Sequence, residues 1–240
     1  HIGRELEPRV DDLVELGMEA IKIASFELVH LPLLRHCAQT GLPMILSTGM
    51  ANMGEIEEAL EAIDAAGGRS VSLLHCNIEY PPRMEDVELM AMQSMRSTFG
   101  VPVGFSDHTR GIAIPVAAVA LGANIIEKHY TLSNEDKGPD HGFALEPDEL
   151  CDMVRSIRDV ELAKGVGRKA RVAAEEKHAR RGRRSIFAAR EIREGETITE
   201  DMLSVLRPGV GLHPRHVEEL VGRTARTTIE AHTPMAWNLV

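Results

Sequence analysis

The sequence predicts an α/β fold, the last five βα units of a (β/α)8 barrel, followed by a small β-rich module. Three observations carry this. Between residues 10 and 163, short continuous apolar runs alternate with segments whose apolar residues recur at i, i+3 and i+4, as expected for parallel strands covered on both faces by helices. Successive strand ends lie about 23–31 residues apart, the repeat of a βα unit in a barrel of roughly 250 residues. All five strands run into polar clusters at their C-terminal ends, where a barrel carries its active face. The rival is a small open doubly wound sheet. That fold usually carries a Gly-rich phosphate turn after its first strand, and KIASFE is not one.

The elements follow in order. Helix-like DDLVELG leads to strand-like AIKIAS, with Lys22, Ser25 and Glu27 at its end. LPLLRHCAQTG leads to PMILSTG, ending in Ser47 and Thr48. EIEEALEAIDAAGG leads to SVSLLHC, with His75 and then Asn77. VELMAMQSMRSTFG leads to VPVGFS, which runs into Ser106, Asp107 and His108. IAIPVAAVALG leads to NIIEKH, ending in Glu127, Lys128 and His129. EPDELCDMVRSIRDVELAKG closes the series. Several of the helices end in Gly, the expected stop signal.

Charge marks the domain boundary. Residues 1–163 hold 12 Lys/Arg against 27 Asp/Glu, whereas residues 164–240 hold 15 against 10. Residues 1–163 are read as the barrel portion, 164–182 as a basic, polar linker and 183–240 as the β-rich module. The module holds an internal repeat: AAREIREGETITEDML (188–203) aligns with ARTTIEAHTPMAWNLV (225–240) at an offset of 37. Ile192 pairs with Ile229, Ile198 with Met235 and Met202 with Leu239 in that alignment, which predicts two similar hairpin-plus-turn units.

Composition narrows the function classes. No apolar run reaches the roughly 18 residues needed to span a bilayer. HIGRELEPRVDD has no apolar core of a signal peptide. Cys37, Cys76 and Cys151 are far apart and form no CxxC pair, which disfavours thiolate zinc or dithiol chemistry and suits a cytoplasmic protein. The run Arg180, Arg181, Arg183, Arg184 lacks interleaved aromatics in an acidic chain, so a solvated linker is favoured over a nucleic-acid site.

Two histidines, His108 and His129, end adjacent strands. On the residues alone they are either metal ligands meeting over the barrel mouth or hydrogen-bonded core histidines. His75 reads as a hydrogen-bonding residue rather than a third ligand.

KIASFELVHLPLL, ILSTGMANMGEIEEAL, LLHCNIEYP, VPVGFSDHTRGI, ALGANIIEKHYTL and GPDHGFALEPDEL resemble, in order, the signatures of the sialic acid synthases, the bacterial N-acetylneuraminate synthases and their legionaminate- or pseudaminate-forming relatives. RRSIFAAREIREGETIT and RPGVGL resemble their C-terminal antifreeze-like (SAF) domain. The resemblance implies condensation of phosphoenolpyruvate with N-acetylmannosamine or a related N-acyl hexosamine, releasing phosphate. It implies a divalent cation, Mn²⁺ foremost with Mg²⁺ or Co²⁺ as alternatives, and a domain-swapped homodimer.

The resemblance assigns roles residue by residue. His108 and His129 match the metal ligands, and the cation would stabilise the alkoxide developing on the sugar aldehyde. Lys22, Ser25, Ser47 and Ser106 match phosphoenolpyruvate contacts, where an anion needs a fixed cation and hydroxyl donors. The histidine pair disfavours a Schiff-base role for Lys22. Glu27 matches a carboxylate near the substrates. Asn77, Tyr80 and Asp140 match sugar-pocket positions, and Arg207 matches the SAF-domain arginine that reaches the partner's sugar. Ile78 and Tyr130 depart from the residues more usual at their positions. A reading from another class is a non-catalytic carbohydrate-binding remnant.

Overall fold

The computed structural model describes residues 7–240, so the first half of the N-terminal stretch read above for a signal peptide lies outside the described residues. The chain divides into two units, His1–Gly167 and Arg168–Val240, taken here one at a time.

In the first unit, α1 (Glu7–Glu15) precedes β1 (Ile21–Ile23), α2 (Leu31–Gln39), β2 (Met44–Ser47), α3 (Met53–Ala65) and β3 (Val71–Cys76). Then come α4 (Ala91–Phe99), β4 (Val103–Asp107), α5 (Ala113–Ala120), β5 (Ile126–Lys128) and α6 (Pro147–Lys164). The strands form one parallel sheet in the order β1-β2-β3-β4-β5. Each strand pairs with the next in sequence, so every helix is a crossover of the same kind. This is a run of barrel units, not a doubly wound sheet with a reversal point.

Local chemistry explains the boundaries. Asn52 caps α3 by accepting from Gly54 N and Glu55 N, while Glu55 reaches back to Asn52 N at 2.8 Å, a reciprocal cap of two orphan donors. Pro147 opens α6 where its missing N–H costs nothing. Gly100 ends α4 in the left-handed region at φ 66°, where a Cβ would be strained.

Strand alternation sorts the side chains. Ile21, Ile23, Met44, Leu46, Leu73, Val103 and Phe105 join one apolar cluster with buried residues of α2, α3, α4 and α5. The residues between them point to the opposite, concave face. Gly104 lies on that face for a steric reason. A Cβ there would sit 2.3 Å from the Ile125 carbonyl oxygen and 2.7 Å from Leu74 Cδ2. Gly104→Ala is therefore expected to push β4 from its neighbours and cost about 1–3 kcal/mol. Thermal melts followed by circular dichroism would read this as a lower midpoint, and an unchanged midpoint would refute it.

The second unit departs from the sequence reading at its start. The stretch 164–182, read as linker, holds the helix α7 (Glu176–Gly182). Its side chains are almost all exposed, which is why the sequence shows no apolar stripe. β6 (Ser185–Ala188) and β7 (Leu203–Leu206) form an antiparallel pair, and α8 (Val217–Leu220) follows. The remaining strand contacts are isolated bridges rather than full hairpins.

The internal repeat becomes a pseudo-two-fold arrangement. Ile192 and Ile229 exchange both main-chain hydrogen bonds, at 2.9 and 2.7 Å. Ala188 N donates to Thr233 O and His232 N to Ala188 O. The equivalent bonds, displaced by the repeat, are Ala225 N to Glu196 O and Gly195 N to Ala225 O. Ile192, Ile198, Met202, Ile229, Met235 and Leu239 all join one apolar cluster.

Candidate active site

The C-terminal ends of β1 to β5 bring most of the singled-out residues of the first unit together. Lys22, on the concave face of β1, donates to Ser47 Oγ at 2.8 Å and lies 3.4 Å from Glu127 Oε2. Glu127 in turn accepts from Ser106 Oγ at 2.7 Å. A cation, a carboxylate and two hydroxyls from four strands thus form one connected row. Ser25 sits just after β1 and is buried, and its Oγ accepts the Gly49 N–H at 3.0 Å. A Cβ on Gly49 would lie 2.5 Å from Ile78 Cγ2 and 2.9 Å from Ser25 Oγ. Only glycine lets these loops approach this closely.

Cys76 shares this face, with its Sγ 3.7 Å from Ser25 Oγ. Burial pushes its thiol upward despite hydrogen bonds from Ser25 and Ser106 that act the other way. It is a protonated, packed thiol and a poor nucleophile.

The two histidines lie at the rim. His108, 6% exposed, places Nδ1 2.7 Å from the Asn77 carbonyl oxygen. A carbonyl can only accept, so Nδ1 carries the proton and Nε2 presents its lone pair. Burial lowers the pKa of His108, against the opposing pull of that hydrogen bond, which keeps the ring neutral. The rings of His108 and His129 stand 5.2 Å apart at 69°. Tyr80 lies over His108 at 4.0 Å between ring centroids, and Phe143 packs 5.0 Å from His129. Asp140 Oδ2 is 3.7 Å from His129 Nδ1, within reach of an ion pair with a protonated ring.

The donor set fits a divalent cation with an open coordination sphere. A neutral imidazole with a free Nε2 is a metal donor, and a second imidazole stands beside it. No cluster of three or more His, Cys, Asp or Glu suited to a metal occurs among the described residues. The two histidines would supply the protein donors, leaving the other positions to water and substrate oxygens.

Other residues sit apart from this group or meet it differently. Asn77 commits its carboxamide to the loop, Nδ2 to Asp86 O at 3.1 Å and Oδ1 to Glu79 N at 2.8 Å, so its carbonyl is what faces His108. Glu27, in a short 3₁₀ turn after β1, makes no side-chain hydrogen bond or ion pair among the described residues. His75 lies on the helix side of β3, with Nε2 2.9 Å from Val87 O and its ring against Phe105. Burial lowers its pKa. Arg207 lies in the second unit, exposed, just after β7.

Glu127 stands in the strand-end cluster read from the sequence but receives no role there. The signal was available: alternation puts it on the same face as His129, two residues on.

Residues 6–169 match the NeuB family, and residues 183–240 match the SAF domain. The chain belongs to the NeuB family. Among its relatives, the N,N'-diacetyllegionaminic acid synthase of Campylobacter jejuni is 45% identical over 218 residues, covering 90% of this chain and 65% of that one. The enzyme of the same name from Legionella pneumophila is 40% identical over 235 residues, covering 96% and 66%. Among solved structures, the spore coat polysaccharide biosynthesis protein SpsE of Bacillus subtilis superposes with a TM-score of 0.64 at 38% identity, covering 96% of this chain and 70% of that one. This NeuB-family chain therefore spans about two thirds of the length of the curated relatives it matches.

Proposed function

We propose that this NeuB-family chain acts in a sialic-acid-type synthase, condensing phosphoenolpyruvate with an N-acyl hexosamine and releasing phosphate. The observation that carries the reading is the pairing of two imidazoles 5.2 Å apart with the adjoining row of Lys22, Ser47, Ser106 and Glu127. One end of the site offers donors for a cation, the other a fixed ammonium and hydroxyls for an anion.

The chemistry divides between these two ends. Lys22, held by Ser47, and the hydroxyls of Ser25 and Ser47 bind the phosphate and carboxylate of phosphoenolpyruvate, and Ser106 joins them when its hydroxyl turns from Glu127 to the anion. A divalent cation bound at the histidine end, Mn²⁺ in this reading, would supply Lewis acidity to the sugar aldehyde. His108 and His129 would hold it. C3 of phosphoenolpyruvate forms the new bond to the sugar C1. One water adds at C2, the bond from C2 to the phosphate-ester oxygen breaks as inorganic phosphate leaves, and the water oxygen stays as the C2 ketone, one of its protons going to the new hydroxyl at the sugar C1 and the other to the phosphate. Glu127, within reach of Lys22 and Ser106, is placed to orient that water. Asn77 and Tyr80 shape the sugar side through the loop after β3, and Asp140 meets the sugar hydroxyls beside His129. Glu27 is kept as a nearby carboxylate of the first loop. The family resemblance adds a domain-swapped homodimer in which Arg207 of the SAF domain reaches the partner's sugar, and the sparse, unpaired cysteines favour the cytoplasm.

The acceptor is N-acetylmannosamine in the first reading. The second, a 2,4-diacetamido hexose, is favoured by the legionaminic acid synthases at 45% and 40% identity. Phosphate release from phosphoenolpyruvate, measured on the full-length protein with Mn²⁺ and each sugar separately, tests both. Sugar-dependent release is expected and names the acceptor. A folded protein that binds sugar but releases no phosphate with any acceptor would replace the enzyme by a carbohydrate-binding protein.

A further inference from the structure

We propose that the buried ion pair of Asp107 and Lys128 is a positioning device for His108 and His129, setting the mutual placement of the two imidazoles and so the affinity of the site for a divalent cation. It rests on reading those histidines as the metal ligands. Neither Asp107 nor Lys128 touches substrate in the mechanism above.

The two are register partners at the ends of β4 and β5. Their side chains point away from the concave face and are 0% and 3% exposed, with Lys128 Nζ 2.7 Å from Asp107 Oδ2. Each also grips the main chain of Thr109. Asp107 Oδ1 accepts the Thr109 N–H at 2.8 Å, and Lys128 Nζ donates to the Thr109 carbonyl. The ring of contacts closes around the segment 107–109, so His108 is the residue held at its middle. Lys128 immediately precedes His129, so the same contacts fix the end of β5.

Stability alone is a weak reason for this arrangement. Withdrawing two ions from water costs several kcal/mol each, and apolar replacements of similar volume hold such positions as well or better. Apolar side chains cannot direct a backbone N–H and C=O. The ion pair does, at both main-chain groups of Thr109, the residue next to His108. Holding the far nitrogen of a ligating imidazole is known to tune metal sites by about 10- to 100-fold in affinity. Here Asn77 O holds Nδ1 of His108, and the ion pair holds the backbone from which that ring projects.

The test is Mn²⁺ binding without substrates, read from the electron paramagnetic resonance signal of free Mn²⁺ in titrations of the full-length protein. The variants are Asp107→Asn/Lys128→Met and Asp107→Leu/Lys128→Met, which remove both charges together, with His108→Ala alongside. The expected result is a folded double variant whose Kd for Mn²⁺ rises tenfold or more, with wild-type circular dichroism and a melting temperature at or near that of the wild type. A folded double variant with unchanged Kd would overturn the inference. So would failure of both double variants to fold, because the pair would then be holding the fold and not the imidazoles. If wild-type protein takes up no Mn²⁺, or takes it up equally with His108→Ala, the metal reading itself falls, and the inference with it.

Discussion

His108→Ala is expected to abolish sugar-dependent phosphate release, lowering kcat by about 10³-fold or more, because several kcal/mol of stabilisation at the developing alkoxide depend on the cation the ring would hold. The fold should survive. His108 sits at the rim, after the last residue of β4, and its side-chain bonding is to the Asn77 carbonyl at 2.7 Å. Circular dichroism and gel filtration would check that the protein remains folded, and the phosphate assay would then be decisive. Retention of the wild-type rate in a folded variant would mean that His108 is only a packed histidine. The low exposure and lowered pKa of the ring do not separate the two readings, since both need a neutral imidazole. The assay does.

Lys22→Met is expected to raise the KM for phosphoenolpyruvate by about 10- to 100-fold, the scale of one or two charge-assisted hydrogen bonds. The reason lies in its neighbours. Lys22 is anchored to Ser47 at 2.8 Å and stands 3.4 Å from Glu127. Methionine keeps the stem length but leaves Glu127 without its cation, so a carboxylate would face the incoming anion alone. The effect should fall on phosphoenolpyruvate and spare the KM for the sugar, which binds beside the histidines. Steady-state kinetics with each substrate varied in turn would show this split. Equal effects on both substrates would point to a collapsed site, and no effect would remove Lys22 from the anion pocket.

Much of this was legible before any coordinates. The alternation of short apolar runs with i, i+3, i+4 segments placed all five strands, because burial on both faces by helices leaves that trace in the chain itself. Strand ends could be read because polar residues interrupt an apolar run only where it leaves the core. His108 and His129 stood out on that ground. The repeat at an offset of 37 was equally visible, and Ile192 and Ile229 pair in the structure as they align.

The rest depended on contacts between residues far apart in the chain. The sequence determined which face each strand residue takes, since period-two alternation is a property of the local backbone. Register decided which of them meet. Glu127 reaches both Lys22 and Ser106 only because β4 and β5 pair as Ser106↔Glu127 and the sheet curves β1 within reach. The tautomer of His108 was set by a carbonyl on another strand's loop. That the Asn77 carboxamide would be held by its own loop, at Asp86 O and Glu79 N, was likewise set by the fold. α7 is nearly all exposed, so no apolar stripe announced it within residues read as linker. Asp107 and Lys128 looked like two more charges at strand ends, and only their burial beside Thr109 made them a pair. Local pattern reports what solvent and backbone geometry demand of each residue, whereas a site is made by long-range pairing and the withdrawal of water, which no window of sequence contains.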